Sequence, residues 1–82
     1  MNTRIDIHEQ IAVEDGNTFM EDVTVYATTR QEALAVSTES FVKGSMLFII
    51  NEGRAFMLNE DGSEGEWRDI SNGSILTEGG DS

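Results

Sequence analysis

Apolar and polar residues alternate along the N-terminal stretch of the chain. In residues 4–13, Ile5, Ile7, Ile11 and Val13 fall on one face at period two, with Glu9 interrupting that face at its middle. This is the spacing of a β-strand that is bent or exposed near its centre. Glu14, Asp15, Gly16 and Asn17 carry turn chemistry, and Asp-Gly between two alternating runs predicts a hairpin. From Phe19 to Ala27 the alternation resumes, with Phe19, Val23 and Val25 on one side and Met20, Asp22, Thr24 and Tyr26 on the other. Together these runs predict a long N-terminal β-hairpin.

The period then changes. Thr29 with Glu32 three residues later is a capping-box pattern, and Ala33, Leu34 and Ala35 favour a helix over residues 30–36. Such a helix, about two turns long, needs a sheet to pack on, reached through Leu34 and an alanine. Residues 37–43 read as a connector that Phe41 and Val42 pin to the core. Gly44-Ser45 opens an apolar strand from Met46 to Ile50, Asn51-Glu52-Gly53 supplies a tight turn, and residues 54–58 return. An acidic turn over residues 59–65 leads into a strand over residues 66–70 that carries Trp67, for which burial in the meander or at a subunit contact is expected. Ile75 and Leu76 tack down the polar segment that begins at Ser71. The predicted fold class is α+β, mostly β: an N-terminal hairpin, one short helix and a C-terminal three-stranded meander, with residues 1–78 as one small domain and residues 79–82 as a flexible acidic tail.

The block Met46-Leu47-Phe48-Ile49-Ile50 places apolar groups on both faces of its strand, which predicts cover on both. One cover is the helix and hairpin. The second is either the same chain or a neighbouring subunit, and the pattern leaves the two open.

Composition narrows the function. The 82 residues include no cysteine and a single histidine, His8, so disulfide staples, thiolate metal sites and His-rich metal sites are all excluded. A domain this short buries only roughly 60% of its unfolded surface, so either the core suffices alone or a partner chain completes it, and the partner is the favoured expectation. Sixteen Asp and Glu against five Lys and Arg leave a net charge of −11, which disfavours nucleic-acid backbones and anionic membranes as direct partners. Residues 1–7 alternate instead of forming a signal-peptide run, and the apolar run 46–50 is too short to span a bilayer, so the chain is expected to be made and kept in a cytosol.

Catalytic chemistry finds no support. A hydrolytic triad needs a base, and His8 lies in an amphipathic strand beside Ile7 and Glu9, with no Gly-x-Ser-x-Gly elbow anywhere. Carboxylate pairs are too numerous to single one out. The acidic run 59–66 does not keep the ligand spacing of an EF-hand, although hard-cation binding by its oxygens stays open. Phosphate-loop patterns are absent. No enzyme activity and no cofactor are expected.

The segment from Gly44 to Trp67 resembles a pattern found in small structural proteins of tailed bacteriophages, of the head-fibre and head-decoration types. The positions that carry the likeness are Gly44-Ser45 before an apolar strand, the turn at Gly53, the strand Phe56-Met57-Leu58, the acidic turn at Gly62, and Glu66-Trp67. The helix before them is similarly placed, and the likeness covers residues 29–70. The chain departs from the pattern in having no proline in the connector before Gly44. The resemblance implies a virion component, assembled in the host cytoplasm, that binds the shell or other copies of itself as a homo-oligomer. Phe48, Ile50, Phe56 and Trp67 are the expected partner-binding residues. The alternative, from charge alone, is an acidic inhibitor that imitates nucleic acid against a basic host protein.

Overall fold

The computed structural model describes residues 3–13 and 19–81. The fold is small, mostly β, with one short helix. In chain order the elements are β1 (Arg4–Ala12), β2 (Phe19–Ala27), α1 (Arg30–Leu34), β3 (Met46–Ile49), a 3-10 turn (Ile50–Glu52), β4 (Arg54–Leu58), a second 3-10 turn (Gly62–Glu64), β5 (Trp67–Asp69), β6 (Leu76–Thr77) and β7 (Gly80–Asp81). Strands β1 to β5 form one sheet in sequence order, and β6 and β7 form a separate two-stranded ribbon. The segment expected as a free tail therefore contributes Gly80–Asp81 to that ribbon. The turn expected at residues 14–17 lies outside the described residues.

Every neighbouring pair in the sheet is antiparallel except β2 and β3, which run parallel. A parallel pair needs a crossover, and α1 with the connector after it is that crossover. The helix starts as a capping box: the Glu32 amide donates to Thr29 Oγ1 at 3.3 Å, and the Thr29 amide donates to Glu32 Oε1 at 3.2 Å. It ends at Leu34, two residues before the expected limit, and it packs through Ala33. Leu34 points outward and is 38% exposed.

Packing follows one face of the sheet. Val23, Val25 and Ala27 of β2, Leu47 and Ile49 of β3, Phe56 and Leu58 of β4 and Trp67 of β5 form the core with Ala33, Phe41 and Leu76. The register aligns them: Val25 lies opposite Leu47, Leu47 opposite Phe56, and Leu58 opposite Trp67. Before the start of β3, the connector already runs along β2 and extends the ladder. Glu21 N donates to Ser40 O at 2.7 Å, Val42 N donates to Glu21 O at 3.0 Å, and Val23 N donates to the buried Ser45 hydroxyl at 3.2 Å. Gly53 closes the β3–β4 turn at φ +65°, a left-handed conformation that glycine adopts without strain.

Two expectations from the alternation are corrected. Ile5, Ile7 and Ile11 do not share a face. Ile5 and Ile7 lie opposite Val25 and Val23, but the register shifts between Ile7 and Glu9, and Ile11 then lies opposite Met20 on the other side. His8 is the extra residue of a β-bulge, and one inserted residue turns every later side chain over. Nor is β3 covered on both faces. Leu47 and Ile49 are fully buried, Met46 and Phe48 are half-buried, and Ile50 has left the strand with 59% of its surface exposed.

Candidate docking surface

The uncovered side of the sheet is built from the alternate residues of the same strands. Arg4 lies opposite Tyr26, Tyr26 opposite Phe48 and Phe48 opposite Ala55; a second row runs Asp6, Thr24, Met46, Met57 and Arg68. Of these residues only Thr24 is buried. Tyr26, Met46, Phe48 and Ala55 are half-buried, and Met57 is 44% exposed.

Cross-strand pairing organises the surface. The Tyr26 and Phe48 rings stack with centroids 5.6 Å apart and planes 16° from parallel. The Arg4 guanidinium sits 4.3 Å above the Tyr26 ring and also pairs with Asp6 at 3.3 Å. Stacking fixes the two rings, so the open face carries a rigid aromatic step flanked by flexible methionines. A rigid apolar step loses little entropy on binding, which is the property of an interface anchor.

The four residues expected to bind a partner do not stay together. Phe48 lies on this open face. Ile50 is exposed at the end of β3, in the 3-10 turn. Phe56 is fully buried and Trp67 is 6% exposed, so both belong to the core, where the Trp67 ring lies 6.4 Å from that of Phe41. Reading the sequence missed Tyr26, Met46 and Met57 as members of the surface. The signal was present for Tyr26, since alternation already put it opposite the Val23–Val25 side. Met46 and Met57 needed the register of three strands.

The groups weighed for chemistry have structural partners. His8 is exposed, and its Nε2 lies 2.6 Å from Thr24 Oγ1. That contact joins two adjacent strands and assembles no triad. In the acidic turn, Asn59 Oδ1 accepts from Glu66 N at 2.7 Å and Asp61 Oδ1 accepts from Lys43 N at 2.7 Å. Gly62 N donates to Phe41 O at 2.8 Å. The first of these bonds closes the turn on itself, and the other two sew it onto the connector. Among the described residues no group of three His, Asp or Glu side chains is placed to hold a metal. No helix among them is long and apolar enough to cross a membrane.

A charged network closes the far end of the sheet. Glu52 receives the Arg30 guanidinium, with Nε to Oε2 at 2.9 Å, and Arg30 Nη1 reaches the Thr77 carbonyl at 2.9 Å. Arg54 donates to the buried Asp69 carboxylate at 2.8 Å, which also accepts from the Ser71 amide and hydroxyl. The hydrogen bond from Arg30 holds the Glu52 carboxyl below its usual range against the opposing effect of partial burial, with the charges of Arg30 and Arg54 adding to it. The network ties α1, the β3–β4 turn, β5 and the C-terminal ribbon together.

Comparison with known proteins finds no matching family model, no matching curated protein and no matching solved structure.

Proposed function

We propose that the chain is a non-catalytic assembly module that docks onto a protein surface through the open face of its sheet. The observation that carries this reading is the stacked Tyr26–Phe48 step with Met46 and Met57 beside it, an apolar surface over which no described element packs. An apolar patch of this kind on a small domain marks a contact site. The resemblance of residues 44–67 to small tailed-phage head proteins gives the setting: an accessory component of a virion, bound to the head exterior or to other copies, with its acidic turns facing solvent. No step of chemistry is required of it, and nucleic acid and membrane are not its direct partners. The open face carries Arg4 and Arg68 beside its aromatics, which fits a protein surface better than mimicry of a nucleic acid.

The test is cosedimentation with assembled particles from cells in which the tagged chain is produced alongside the genome that encodes it. The wild-type chain is expected in the particle fraction, and Phe48→Glu, which places a charge in the middle of the step, is expected to stay in the supernatant with an unchanged circular dichroism spectrum. A wild-type chain that never enters the particle fraction, or a Phe48→Glu chain that enters it equally, overturns the reading.

A further inference from the structure

We infer that two copies of the chain pair through the free edge of β1, antiparallel about a two-fold axis at Ile5, to form one continuous sheet. The inference rests on the assembly reading above and names a second copy as one of its partners.

The two edges of the sheet differ in how they end. β5 is three residues long, and the chain beyond it covers its outer side: Arg68 bridges to Ile75, and Asp69 N donates to Ser74 O at 2.8 Å. β1 is nine residues long, and no described strand pairs with its outer side. A long bare edge is a template for another strand.

The direction of the backbone groups is set by β2. Glu21 N and Val23 N donate to Ser40 and Ser45, away from β1. Amides alternate along a strand, so those of Thr24 and Tyr26 face β1, where Asp6 and Arg4 lie opposite them. The intervening residues, Ile5 and Ile7, therefore turn their N–H and C=O groups to the free edge. Their side chains are 44% and 52% exposed, and they line a groove of about 580 Å³ with Thr3, Val36 and Phe41.

Charge selects the occupant and the register. With the axis at Ile5, Ile5 pairs with Ile5 of the second copy, and Thr3 pairs with Ile7. On the opposite face each Arg4 then lies against Asp6 of the second copy, giving two attractive pairs. Moving the axis to Asp6 sets the two Asp6 carboxylates directly opposite each other, which is repulsive. Moving it to Ile7 runs the ladder into the bulge at His8, where regular pairing stops. One register satisfies both the backbone and the charges. It also brings the isoleucines of the second copy alongside the apolar groove. The net charge of −11 on each copy opposes the approach over longer range, so the pairing tightens as added salt screens that repulsion.

Sedimentation velocity over a concentration series tests the pairing on the purified chain alone. The wild type is expected to shift from monomer to dimer. Ile5→Pro removes an N–H that faces the free edge, a place where a sheet tolerates proline, and is expected to give a folded monomer. Arg4→Asp and Asp6→Arg, each alone, turn both attractive pairs into repulsive ones and raise the dimer dissociation constant by about tenfold. The double variant R4D/D6R restores it, whatever becomes of Ile5→Pro. A wild-type monomer at every concentration, a dimer that persists in folded Ile5→Pro, or a double variant no tighter than the single ones overturns the inference. Particle cosedimentation of the same proteins separates the two readings: loss of particle binding with the dimer intact overturns docking alone, and a chain that docks but never dimerises overturns this inference alone.

Discussion

Ile5 and Val25 lie directly opposite each other on the same face of the same sheet, yet Val25 is fully buried and Ile5 is 44% exposed. Ile7 and Val23 repeat the contrast, at 52% and 1%. Part of the contrast is the sheet's edge: Val25 has Leu47 on its other side, whereas β1 has a strand on one side only among the described residues. The rest lies in the layer above. The helix, Phe41 and Leu76 pack over the core face of β2 to β5, and the cover stops short of β1. One half of the molecule is a packed two-layer domain, and the other is a hairpin strand that leaves its apolar side chains open to a further layer.

The sharpest way to break that contrast is to cut both halves equally. Phe56→Ala removes a fully buried ring from the centre of the covered half and is expected to lower unfolding free energy by about 3–5 kcal/mol. For a domain of this length that is a large part of its stability. Ile7→Ala on the uncovered half is expected to lower it by under about 1 kcal/mol, because roughly half the side chain already meets water. Urea unfolding of the two variants decides the matter. Equal losses would mean that the hairpin is packed as tightly as the core.

The joint between the layers is the next point to strain. At Gly65 an added Cβ would lie 2.7 Å from Leu58 Cδ1 and press on the Glu60 carbonyl, in the turn that carries the chain back to Trp67. Leu58 and Trp67 are opposite each other in the core, so neither can give way freely. Gly65→Ala is expected to destabilise by about 1–3 kcal/mol, read as a lowered urea midpoint with an unchanged slope. Thr29→Ala acts on the cover itself. It removes the hydroxyl that accepts from the Glu32 amide and is expected to lower stability by about 1 kcal/mol.

These positions also mark how much of the molecule was legible in the sequence. Where a feature depends on a few neighbouring residues, expectation and structure agree. The capping box at Thr29–Glu32 and the limits of β2 and β4 are local matters of hydroxyl spacing, alternation and turn glycines. Where a feature depends on residues far apart, the pattern is silent. The bulge at His8 is a choice between two registers against β2, and it sent Ile11 to the opposite face. The parallel pairing of β2 with β3 depends on how the crossover lies, and the open face of β3 depends on there being only one covering layer. The candidate surface divides the same way. Phe48, Phe56 and Trp67 are equally apolar in sequence, and only the alignments Leu58–Trp67 and Tyr26–Phe48 send two of them inward and one outward.

The smallest expected effect concerns the end of the sheet where Glu52 joins the two layers. Its carboxyl titrates below the ordinary value of 4.5, chiefly because the ionised form accepts hydrogen bonds from Arg30, with the charge of Arg54 also favouring it. The depressed value belongs to the folded state, so the unfolded chain takes up this proton first as pH falls. The stabilisation is therefore fully present above pH 4.5 and is lost as pH drops through the lower, folded value. Because the pair lies at the surface, water screens it, and its worth is a few tenths to about 1 kcal/mol. The other carboxylates titrate over the same range, so the wild type alone does not isolate the contribution. The difference between wild type and Glu52→Gln does. At pH 7 the wild type is expected to be the more stable in urea, and the gap is expected to close as the pH is lowered below 4.5. A gap that stays constant down to about pH 2.5 would place its origin in packing and not in the charge that Arg30 meets.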